Sequence, residues 1–88
     1  MKKIVSVQEV EGEGLMALMG QRVTLLCLNY IYVGTLTGVN DNCVLLKDPA
    51  IVYETGPWDS KTWEDAQKLP CSLYVMMSAI ESFGSIKG

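Results

Sequence analysis

GTLTGVNDNCVLLKD, residues 34–48, decides how this chain is read. Two apolar runs flank the polar cluster Asn40-Asp41-Asn42. Asn and Asp tolerate positive φ and accept hydrogen bonds from their own backbone, so the cluster reads as the turn of a β-hairpin. Gly34 and Gly38 lie inside the run before it. Glycines within a strand mark a bulge, a bend or a close backbone approach, and a pair of them implies a strand that curls.

The other elements follow outward from this hairpin. RVTLLCLN (22–29) and YIYVGTLTGV (30–39) are rich in β-branched and aromatic residues, which predicts two strands joined by a tight turn at Asn29-Tyr30. CVLLKDPAIVYE (43–54) is a third strand, with Pro49 at a bulge or an edge. Upstream, IVSVQEV (4–10) is an extended arm or a short strand. Leu15, Met16, Leu18 and Met19 then line one side of a short helix that Gly20 stops. Downstream, Gly56-Pro57 ends the third strand, Asp59 or Ser60 caps a helix running to about Lys68, and Pro70 closes it. Trp58 and Trp63 both fall in this segment, where they either pin it to the domain or form a contact surface. A fourth strand runs to about Ser78 and a fifth lies around Ile80 to Phe83.

The predicted fold is therefore mostly β. It is a small, strongly bent, five-stranded antiparallel barrel with a short N-terminal helix and a helical insertion between the third and fourth strands. Residues 1–88 form a single domain, with an arm at 1–12 and the insertion at 56–70. Such a barrel has two free edges unless a neighbour pairs with them.

Composition narrows the function. Hydrophobic residues make up 49% of the 88, and charged residues 19%. That is apolar for a chain with so much surface per volume, and the excess points to a buried subunit interface. The net charge is −3, and the basic residues are scattered, which argues against strong nonspecific phosphate binding. Histidine is absent, which removes the commonest general base and metal ligand. Cys27, Cys43 and Cys71 match neither a zinc site nor a redox pair, and read as reduced, mostly buried thiols. There is no nucleophile elbow, phosphate-binding loop or dinucleotide fingerprint, and Asp41 and Asp48 form no recognisable carboxylate pair or calcium loop. The expectation is a protein that is not an enzyme and carries no cofactor or metal. No apolar run approaches the ~20 residues of a membrane helix and no secretory leader is recognisable, so a cytoplasmic location without a membrane partner is expected.

This element order, carried by these residues, resembles the Sm-like family, the ring-forming proteins that include the bacterial RNA chaperone and the spliceosomal Sm proteins. The chain is similar to a divergent bacterial or phage-type member. GQRVTLLCLN (20–29) resembles the first strand after the N-terminal helix. GTLTGVNDNCVLLKDPA (34–50) resembles the first Sm motif through Gly34, Leu36, Val39, the polar turn and Ala50, and SLYVMMSAIESF (72–83) the last two strands of the second. The resemblance implies a closed homo-oligomeric ring of about five to seven subunits, the fourth strand of one pairing with the fifth of the next. Leu73, Val75, Met76, Ile80 and Phe83 are then interface candidates. Asn40, Asp41, Asn42, Met77 and Ser78 are candidate pore-loop residues for single-stranded RNA.

The chain departs from the family at the RNA-reading positions. Asn42 stands where an aromatic or histidine often stacks on a base, and Met77-Ser78 where Arg-Gly or Lys-His is usual. Loss of the aromatic platform removes about 1–3 kcal/mol of stacking per base. Two readings follow: a ring that binds single-stranded RNA or acts as an RNA chaperone, and a ring-shaped scaffold that binds protein or a small ligand without RNA. The residues themselves also allow a plainer account, in which Asn40 to Asn42 are only a turn and Met77 only packs.

Overall fold

The computed structural model describes residues 14–88; the arm expected at 1–12 lies outside the described residues. Six antiparallel strands follow one another: β1 (Arg22–Cys27), β2 (Ile31–Val39), β3 (Cys43–Glu54), β4 (Asp65–Lys68), β5 (Leu73–Met76) and β6 (Ile80–Gly84). The short helix before β1 is a single 3-10 turn, Leu15–Leu18, and a second one, Met77–Ala79, links β5 to β6. Gly20 ends the first turn at φ 84, and its N–H donates to Leu36 O at 2.7 Å, docking the turn on β2. The strand order is β4-β3-β2-β1-β6, with β5 also paired to β3.

β1, β2 and β3 form a meander. The β1–β2 loop is residues 28–30, which includes the turn expected at Asn29-Tyr30, and it is closed by Cys27 N–H donating to Tyr30 O at 3.1 Å. The β2–β3 register shifts between Val33 and Thr35 and again between Leu36 and Gly38. The two glycines therefore sit at the irregularities, where a missing side chain lets the strand bend. Gly34 has no room for more: a Cβ there would lie 2.9 Å from Leu46 Cβ. Opposite Gly34, β3 bulges at Asp48-Pro49, with Asp48 at φ 50, a left-handed conformation that Asp tolerates better than most residues.

That bulge divides β3. Its first half, Cys43 to Leu46, pairs with β5, and its second half, Ala50 to Glu54, pairs with β4. Side chains alternate faces along a strand, and an extra residue inverts the alternation. Before the bulge, Val44 and Leu46 join Val23, Leu25, Leu36 and Val75 in the main core. After it, Ala50 and Val52 join Val33 in a second cluster, with Ile31 and Trp63 packed against it. Val33 pairs with both Thr24 and Ala50, whereas Tyr32, which packs on the main core, pairs with Leu25 and Ile51. The two clusters therefore lie on opposite faces of the sheet.

The segment 56–70 is not helical. Asp65–Lys68 adopts extended backbone and pairs with β3 as β4, and the stretch before it is an irregular loop. Local helix formers such as Glu64, Ala66 and Lys68 were outweighed. A helix below about 12 residues is marginal alone, and the far half of β3 offers unpaired backbone groups that β4 satisfies. Among the described residues the count is accordingly six strands, and their sheet does not close into a barrel. Trp63 explains what the insertion does for the fold: it caps the second core cluster.

Candidate functional site

The opening polar cluster has a definite structure. Asn40 Oδ1 accepts from the N–H groups of Asn42 (2.7 Å) and Cys43 (2.9 Å), and Asn40 N–H donates to Cys43 O at 3.0 Å. Asn40 thus closes the hairpin with its own side chain, and that oxygen is committed to the backbone. Asp41 and Asn42 are exposed, with their side chains at the loop tip.

The second candidate loop is brought to the first. Met77 N–H donates to Asn42 O at 2.8 Å, so the turn at Met77–Ala79 is tied to the β2–β3 turn. Its other end is tied to the β1–β2 loop, where Leu28 N–H donates to Ala79 O at 3.3 Å. Met77 packs on the main core, and Ser78 is exposed. Of the five loop candidates, Asp41, Asn42 and Ser78 present free polar side chains, Asn40 holds the turn, and Met77 packs. Neither turn carries a lysine or arginine.

The strand candidates also divide. Val75 is 5% exposed and belongs to the main core, opposite Val44. Leu73 and Ile80 are half-buried against the same core. Met76 and Phe83 are exposed, as is Tyr74, which period-2 alternation places on the same face of β5 as Met76. β5 pairs only with β3, and β6 only with β1, so each offers an unpaired outer edge among the described residues. Phe83 lies opposite Leu25, on the core side of the sheet, yet stays 42% exposed because no described strand follows β6. The main core is left open at that end.

Beneath the loops, burial pushes the Cys27 thiol pKa up. Tyr32 is raised too, first by burial and then by the neighbouring Cys27 and Tyr30. Cys43 is half-buried and Cys71 exposed, so burial does not extend to all three thiols, none of which is disulfide-bonded. No group of metal-ligating side chains is found among the described residues. No helix there is long and apolar enough to cross a membrane.

A separate cleft of about 360 Å³ lies by the β3 bulge, lined by Arg22, Asp48, Pro49, Lys68, Leu69 and Gly88. The Arg22 guanidinium in it already donates to main-chain oxygens, to Asp48 at 2.7 Å and to Gly88 at 3.1 Å. It acts there as a brace between β1, the bulge and the C-terminal segment.

No family model, no curated protein and no solved structure matches this chain.

Proposed function

We propose that this chain is a subunit of an Sm-like ring that contacts single-stranded RNA through the paired loops at Asn42 and Ser78. The observation that carries the reading is that β5 and β6 offer unpaired edges at opposite ends of one open, curled sheet, β5 sharing its end with β4. An edge at each end allows head-to-tail pairing of β5 in one copy with β6 in the next. Such a heterologous contact closes into a ring when the rotation per step allows it. The exposed Tyr74, Met76 and Phe83 would be covered by that contact.

The RNA half of the reading rests on hydrogen bonding. Asn42 offers both donors and an acceptor to a base edge, and the Ser78 hydroxyl can do either. With no cation and no aromatic in the two turns, phosphate attraction and stacking are both missing from the loops, so binding is expected to be weak. One observation favours a second reading, a protein-binding ring without RNA: the loop tip that would face phosphate carries Asp41, and Asn40 has no acceptor to spare.

Size-exclusion with light scattering, followed by fluorescence anisotropy on U-rich and A-rich single-stranded RNA at low and physiological salt, tests both halves. A ring whose RNA binding drops in Asn42→Ala or Ser78→Ala supports the proposal. A ring that binds no RNA at low salt leaves the scaffold reading. A monomer at every concentration refutes the assembly.

A further inference from the structure

The C-terminal segment after β6 crosses the back of the sheet and ends at the two tryptophans. Ser85 Oγ donates to Arg22 O at 3.0 Å, and Arg22 Nε donates to Gly88 O at 3.1 Å. Between these points Lys87 reaches the 55–63 loop. Its ammonium donates to Thr55 O and to Pro57 O, each at 2.7 Å. It also lies 4.7 Å from the Trp63 ring centroid and 5.8 Å from that of Trp58. The two indoles stand edge to face, 5.9 Å apart at 86°.

These parts make a complete receptor for a primary ammonium. An –NH₃⁺ group has three donors and no acceptor. Two are taken by carbonyl oxygens, and the remaining positive face meets the π-clouds, each within the ~6 Å over which a ring quadrupole attracts a cation. The carbonyls select a primary amine, because a quaternary ammonium has no N–H to donate. The surrounding segment adds long-range attraction: Glu54, Asp59, Glu64 and Asp65 stand against the single Lys61. Trp58 is 53% exposed, so one wall of the cage faces solvent.

We propose that this cage is a lysine-recognition site for a protein partner, with Lys87 holding it in cis. Thr55, Pro57, Trp58 and Trp63 form the site. The incoming side chain takes the place of the Lys87 ammonium, and the C-terminal segment lifts from the back face as it does so. The tethered lysine competes at an effective concentration in the millimolar range, so the site is masked until the segment is displaced.

The test is a titration of the 88-residue chain carrying Lys87→Ala with an acetylated Ser-Ile-Lys-Gly peptide, read by tryptophan fluorescence and by the indole N–H resonance of Trp58. The same peptide with an acetylated lysine side chain is the control. The expected result is a saturable shift with the lysine peptide, at least about tenfold weaker with the acetylated one and at least about tenfold weaker again for wild type than for the variant. Lys87→Met, which keeps an unbranched side chain but no ammonium, repeats the titration if the alanine variant loses its near-UV circular dichroism. No saturable shift in a folded variant, or an equal response to the acetylated control, overturns the proposal.

Discussion

Replacing Gly34 with alanine should destabilise the chain, and the structure sets the size of the effect. Gly34 is buried, and a Cβ there would lie 2.9 Å from Leu46 Cβ, 3.3 Å from its Cδ1 and 3.4 Å from its Cγ. The closest atom is the one fixed by the β3 backbone, so no change of Leu46 rotamer relieves the contact. β2 and β3 must separate at the bulge, which also disturbs the Val23 pairing on the other side. Overpacking of this kind costs about 1–3 kcal/mol. Against it, alanine reduces the entropy of the unfolded chain, worth about 0.4–1 kcal/mol. The net expectation is a loss of about 1–2 kcal/mol, or a Tm lowered by roughly 5–15 °C for a domain of this size. Gly38→Ala is the matched control. Its Cβ would meet Leu45 Cβ at 3.4 Å, an ordinary contact, and its φ is not positive, so its stability should stay within about 0.5 kcal/mol of wild type. Thermal and urea unfolding at one fixed protomer concentration would measure both, since assembly makes Tm depend on concentration. If Gly34→Ala melts with or above wild type, the close approach of β2 and β3 is wrong.

Further substitutions separate the roles of strand, turn and thiol. Val75→Asp buries a carboxylate in the main core and should abolish folding, whereas Met76→Asp, on an exposed position, should fold by circular dichroism yet run as a smaller species in light scattering. Asn40→Ala removes the acceptor for two backbone N–H groups and should cost about 1–2 kcal/mol in urea unfolding, while Asn40→Asp keeps it and should cost much less. The raised pKa of Cys27 means the folded chain holds that proton more tightly than the unfolded chain. Its contribution is full below the unfolded thiol pKa and is lost as pH rises through the folded value, so stability should fall on the alkaline side, and less steeply in Cys27→Ala. Tyr32 contributes with the same sign at higher pH.

The parts of the fold that were legible in the sequence are those where backbone chemistry is local. Gly34, Gly38 and Pro49 forecast irregular strands because only a missing side chain or a missing N–H demands those residues there, and the register shifts fall at them. Asn40 was legible as a turn residue for the same reason. β4 was not legible: Asp65, Ala66, Gln67 and Lys68 are all exposed, show no apolar alternation, and become a strand only because β3 supplies partners. Alternation fixes which residues of a strand share a face, not which face is covered, so nothing local in the sequence separates the core position Val75 from the exposed Met76. The Lys87 cage escaped sequence reading entirely, since its parts come from two stretches that only the C-terminal crossing brings together.

The β1–β2–β3 meander also sets an order of events during folding. Its turns close short loops, so their entropic penalty is small and they can form early. The β1–β6 ladder joins Thr24 to Gly84, across most of the described length, and must await those contacts. The nucleus should therefore lie in the two hairpins, with φ-values high at Leu36 and Val44 and low at Phe83. Substitutions in β6 would then accelerate unfolding while leaving the folding rate almost untouched, so the last strand to arrive governs how long the native state survives rather than how fast it is reached.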